Sequence, residues 1–130
     1  MSVQFTTSAR IPARPAAVYA AWLNSEGHAA MTGAEAACSA AVGGSFQAWG
    51  GYIQGRNLEL SANEHIVQAW RTSDFSATEP DSHVVIKLQA DQNMTEVTIT
   101  HTALPEHGMK YLQGWVDFYF TPMTAHFSPK

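Results

Sequence analysis

The apolar positions of this chain change period twice along its length. From Val3 to Ile11 they alternate, with Val3, Phe5, Ala9 and Ile11 on one side, which predicts a strand. Pro12 ends it, and Pro15 sits where a proline belongs in the first turn of a helix. Val18, Tyr19, Trp22 and Leu23 then recur at helical spacing as far as about Asn24. Arg14 occupies the capping position, so this helix starts without the usual capping side chain. Ser25 suits the cap of a second short helix through His28, Ala29 and Met31, and Gly33 stops it.

Beyond Gly33 the period falls to two. Gly43 and Gly44 turn the chain into a strand over residues 45–50, and Gly51 opens another through Tyr52, Ile53 and Leu58. Residues 61–64 form a turn before the strand His65–Thr72. A polar loop over residues 73–82, turning at Pro80 and Asp81, is expected to be mobile. Two strands follow, residues 83–90 and 95–103, joined by the hairpin Asp91-Gln92-Asn93.

Pro105 closes this region and the helical period resumes. From His107 to about Phe127, Leu112, Trp115, Tyr119 and Met123 recur three or four apart, with Tyr111, Phe118 and Phe127 flanking them. Pro122 removes the amide bond to the Phe118 carbonyl and should kink the last turn. The predicted order is strand, two short helices, five or six antiparallel strands and a long aromatic helix. A curved sheet has one apolar concave face, which the last helix must cover. The expected class is α+β, a curved antiparallel sheet of about six strands around the C-terminal helix.

Composition narrows the function classes. At 130 residues the chain is expected to be one domain over residues 1–130, with no repeat or linker to divide it. A chain of this size buries roughly two thirds of its unfolded surface, enough to fold without disulfide or metal. Charged residues are 14% of the chain, below the usual value of about 25%, so much of its surface is neutral. The net charge is −4, and Arg10, Arg14, Arg56, Arg71, Lys87, Lys110 and Lys130 are scattered, which argues against nucleic acid. Cys38 stands alone among alanines, as a small buried side chain in a reducing cytoplasm. The start at Met1 has no signal-peptide pattern, and no stretch reaches the ~20 apolar residues of a membrane span. A soluble, cytoplasmic protein is expected.

No catalytic or metal motif emerges. Histidines 28, 65, 83, 101, 107 and 126 show no metal-ligand spacing, and no cofactor is expected. Ser25, Ser39 and Ser45 lie in no nucleophile elbow, and the glycine pairs at 43–44 and 50–51 belong to hairpins. Glu59 and Glu96 fall on alternating strands and read as solvated. His101 shares the inward face of Val97 and Ile99. It is either a polar anchor or base in a cavity, or a core histidine bonded to a carbonyl or water; the lack of an acidic partner favours the second.

Aromatic residues carry more information. Trp22, Trp70 and Trp115 suit the core, whereas Trp49, Tyr52 and Tyr119 suit a pocket wall. Small residues at Ala48, Gly51, Gly55 and Ala69 suit a partial opening near Pro122, on the order of 300 Å³ or more if it serves a ligand; the competing reading is that aromatic side chains fill the space. The candidate ligand-binding set is Trp49, Tyr52, His101, Trp115, Phe118 and Tyr119.

An ordered set of short motifs then identifies a family. It runs Gly43-Gly-Ser-Phe46, Gly51-Tyr-Ile-Gln-Gly55, Leu58-Glu-Leu60 and His65-Ile-Val-Gln-Ala-Trp-Arg71. Thr95-Glu-Val97, Leu104-Pro105, Gly114-Trp115 and Tyr119-Phe120 complete it. From about Thr7 to Phe127 the chain resembles the C-terminal domain of heat shock protein 90 ATPase activators, and more closely their small bacterial relatives in the START-like (SRPBCC) superfamily. The resemblance implies the helix-grip fold, a non-enzymatic binding role and a chaperone partner. The eukaryotic activator carries a separate N-terminal docking domain that this chain does not show, so weak stimulation of the chaperone ATPase, or none, is expected. Two other readings stay open: a carrier or sensor of a small hydrophobic ligand, and a cyclase or hydrolase built on the same cavity. The oligomeric state is open as well.

Overall fold

The computed structural model describes residues 2–128; Met1 and Lys130, named above, lie outside the described residues. Strand β1 (Val3–Ile11) leads into helices α1 (Pro15–Leu23) and α2 (Ser25–Thr32). Six strands follow: β2 (Ala36–Ala37), β3 (Ser45–Ala48), β4 (Ile53–Ser61), β5 (His65–Thr72), β6 (Ser82–Asp91) and β7 (Met94–Leu104). All seven form one antiparallel sheet in the order β1-β7-β6-β5-β4-β3-β2. The sequence reading missed β2 because two alanines carry no alternation to read.

A helical segment closes the fold. It begins with a tight turn at Glu106–Met109 and continues as α3 (Lys110–Trp115). A wider π-type turn at Val116–Phe120 leads into α4 (Thr121–Phe127). The amide of Thr121 reaches back five residues to the Val116 carbonyl, immediately before Pro122, which has no amide to offer. The predicted kink is therefore absorbed as a widened turn. Tyr111, Trp115, Tyr119 and Met123 make the buried stripe, joined by Phe120. Leu112, expected on that stripe, is only half-buried, because the stripe begins one residue earlier.

The concave face is apolar as its alternation predicts. Val84, Ile86 and Leu88 on β6 face inward beside Val97 and Ile99 on β7. Ile11, Val18, Met31 and Met123 seal that end with no exposed surface. Asn57 is a buried exception. Its amide nitrogen donates to the Ser39 and Ala41 carbonyls at 2.8 and 3.1 Å, and its oxygen accepts from Gln68 at 3.0 Å. Those bonds pin the long connection before β3.

Two local expectations change. Asn24 rather than Ser25 caps α2, accepting the Gly27 amide at 2.8 Å, while the Ser25 hydroxyl accepts the Cys38 amide at 2.8 Å. Cys38 is half-buried, and burial pushes its thiol up to about 11. The loop after β5, expected to be mobile, is strapped down. Arg71 donates to Asp81 at 2.8 Å and to the Ser76 and Glu79 carbonyls, and Phe75 is buried beneath its guanidinium.

Candidate functional site

A cleft of about 290 Å³ opens between the β3–β5 side of the sheet and the first half of the closing helix. Trp49, Tyr52, Ile53 and Trp70 form the sheet wall. Lys110, Tyr111, Gly114, Trp115, Phe118 and Tyr119 form the helix wall. The rings meet edge to face or tilted: Trp70 on Tyr111 at 4.9 Å, Trp115 on Tyr119 at 4.8 Å, Trp49 on Phe118 at 5.0 Å. Planar rings joined this way leave wedges that branched aliphatic side chains would fill.

The space is not where the small residues suggested. A side chain on Gly55 would strike the Ala69 carbonyl at 1.9 Å and the Phe46 ring at 2.6 Å, so that position is already filled. Ala69 lies on the outer face of β5, and Pro122 does not border the cleft.

Most polar tips around the cleft are already bonded. Tyr119 donates its hydroxyl to His28 Nε2 at 2.8 Å, because His28 Nδ1–H is given to the Trp22 carbonyl at 2.9 Å. Tyr111 shares a 2.5 Å bond with Thr72. At the mouth, Tyr52 donates to Asp74 at 2.5 Å, and Lys110 Nζ donates to the same carboxylate oxygen at 2.9 Å. Burial, then the Asp74 carboxylate, pushes the Tyr52 phenol up to about 12. Burial holds Tyr119 far above its ordinary value and raises Tyr111 as well. The bonds from Tyr52 and Lys110 hold the Asp74 carboxyl below its ordinary value.

His101 stands behind the aromatic wall. Trp115 Nε1–H donates to its Nδ1 at 3.1 Å, which leaves Nε2–H to donate to Ser82 Oγ at 2.8 Å. Ser82 in turn donates its hydroxyl to the Trp70 carbonyl at 2.7 Å. Burial drives the His101 imidazole down to about 3, so it is neutral and satisfied. It does not border the cleft, and it is the core histidine of the two readings. The other five candidate residues all border the cleft, but the Tyr119 hydroxyl is spent on His28 and is no free anchor. Sequence reasoning missed Tyr111 and Lys110 in the wall, and His28 as a buried partner. The phase of the helical stripe could have found Tyr111; nothing local could pair His28 with a residue 91 positions away.

Trp49 is unusual twice over. Its backbone φ is 53°, followed by Gly50 at 66° and Gly51 at 94°. The glycines adopt this region freely, whereas a tryptophan there carries strain of roughly 1 kcal/mol. Its indole Nε1–H is also buried without a hydrogen-bond partner among the described residues.

Among the described residues no cluster of His, Cys, Asp or Glu is placed to hold a metal ion, and no helix is long and apolar enough to cross a membrane. A sheet gripping a C-terminal helix that carries a widened π-type turn, with an aromatic cleft between them, defines the α+β helix-grip, START-like fold. Residues 12–128 match the family model described as activator of Hsp90 ATPase homolog 1-like protein, and the chain belongs to that family. A curated activator of 90 kDa heat shock protein ATPase homolog from Dictyostelium discoideum is 39% identical over 75 residues. That match covers 56% of this chain and 19% of the relative. An HSP90 activator from Plasmodium falciparum shares the fold, with a TM-score of 0.83, 20% identity and 94% of each chain covered. The Aha1 dimer from Colwellia psychrerythraea superposes with a TM-score of 0.78 at 17% identity, over 95% of each chain.

Proposed function

We propose that this chain is a non-catalytic, cytoplasmic binding domain whose site is the aromatic cleft, and that the cleft holds a small apolar molecule. The cleft itself carries the reading: an open, ring-walled space in a fold whose opposite end packs to zero exposure. Against a cyclase or hydrolase stands the use of both buried histidines. His28 and His101 are bonded through both ring nitrogens and neither borders the cleft. No free base therefore faces a substrate there. Titrating the protein with an environment-sensitive apolar dye, competed by small aromatic compounds, tests this. Saturable, competable binding is expected; a dye that never binds refutes it.

Family membership favours a second role, engagement of a heat shock protein 90 chaperone. The cleft mouth, with Tyr52 and Phe118 exposed around Lys110, is the face that suits a partner's apolar side chain. An ATPase assay of the chaperone with and without this domain checks it. We expect at most weak stimulation, since the matched region is a small part of the curated relative.

A further inference from the structure

We propose that Trp49 Nε1–H is the hydrogen-bond donor of the cleft, and that the cleft takes an uncharged ring compound bearing one acceptor oxygen. This rests on the binding reading above and adds the chemistry of the ligand.

The hydroxyls of Tyr119, Tyr111 and Tyr52, the Lys110 ammonium and the Trp115 N–H of the cleft walls are engaged in bonds within the protein. Trp49 alone among the described residues holds a buried side-chain polar atom with no partner. Buried donors are rarely left unmade, because the lost hydration is not recovered elsewhere. An apolar ring could have been supplied by phenylalanine without that loss. The same residue holds left-handed backbone that a tryptophan adopts only under constraint, the Gly50 amide being tied to the Glu35 carbonyl at 3.2 Å. Strain and an unmade bond therefore coincide on one side chain at the cleft wall.

The donor is closed off in the free protein, so its use requires a small movement. Phe118 packs edge-on to the indole at 5.0 Å, is half exposed, and rides on the π-type turn. It is the neighbour with the most exposed surface, and a ring entering the cleft would take its place against Trp49.

Charge defines the rest of the ligand. Lys110 is the one charged side chain among the described residues of the wall, and Asp74 already neutralises it. An anionic ligand would meet the Asp74 carboxylate at the mouth, whereas a neutral one disturbs nothing. The volume of about 290 Å³ suits one or two fused rings.

Three probes of one shape test this: 2-acetylnaphthalene, with a ketone acceptor; 2-ethylnaphthalene, without one; and 2-naphthoate, an anion. Affinities are measured by equilibrium dialysis on the wild type and on Trp49→Phe, which keeps a ring and removes the donor. The substitution should weaken the acetyl compound roughly tenfold more than the ethyl compound, the effect of one hydrogen bond in a dry site. In the wild type the Trp49 Nε1–H proton resonance should move downfield with the acetyl compound and not with the ethyl compound. This second readout does not depend on the variant folding. Naphthoate should bind more weakly than the ketone at pH 7. If both neutral probes bind and Trp49→Phe weakens them equally, with no Nε1–H shift, the donor assignment is overturned while the binding site stands. Naphthoate binding as tightly as the ketone overturns the neutral-ligand assignment. If no probe binds, the site and this inference fall together.

Discussion

The two ends of the space between sheet and helix are built from different side chains, and they pack differently. At one end Ile11, Val18, Val84, Ile86, Val97, Ile99 and Met123 reach zero exposure. At the other, Trp49, Tyr52, Trp70, Tyr111, Trp115 and Phe118 enclose a cleft of about 290 Å³. Branched and flexible aliphatic groups interdigitate at close to crystal density. Flat rings held at fixed tilts cannot, and their polar tips demand partners that fix the tilts further. The closed end is thus densely packed, and the open end is shaped by where its hydroxyl and N–H groups must go. His28 and His101 sit along the boundary and bind ring residues of the open end from behind.

The largest expected effect breaks the two ends apart. Trp115 is buried, tilts against Trp70 at 5.7 Å and donates to His101. Trp115→Ala should cost about 3–5 kcal/mol in a denaturant melt, combining lost burial with a cavity. A change under about 0.5 kcal/mol would show that the helix does not grip the sheet through this residue.

A pH series separates the boundary histidines from the rest. The His101 pKa is lowered by burial from 6.5 to about 3, and that of His28 is lowered in the same direction. The unfolded chain therefore binds more protons below about pH 6.5. Stability from His101 is complete above that pH and is lost progressively as pH falls toward 3, by as much as about 4 kcal/mol. His101→Gln should flatten most of this slope in urea melts between pH 7 and 4. An unchanged slope would assign the acid sensitivity elsewhere.

The smallest effect sharpens the contrast between inner and outer tyrosines. Tyr119→Phe strips a buried donor from His28 Nε2 and should cost about 1–2 kcal/mol. Tyr52→Phe removes a bond to the exposed Asp74 and should move the melting midpoint less. Equal shifts would mean that the mouth is as firmly built as the floor.

Much of this architecture is legible in the sequence because it is periodic. The bounds of β1 and β5, the two short helices and the inward faces of β6 and β7 follow from spacing alone. The family is legible through a resemblance of ordered motifs, and five of the six candidate residues border one cleft. Periodicity assigns a face to a residue without naming its partner. The bonds from Tyr119 to His28, from Trp115 to His101 and from Asn57 to the Ser39 carbonyl join elements distant in the chain. They decide which polar groups remain free for a ligand. The tertiary structure alone left Trp49 with its donor unmade, because satisfying a buried polar group depends on what the whole fold brings within 3 Å or so of it.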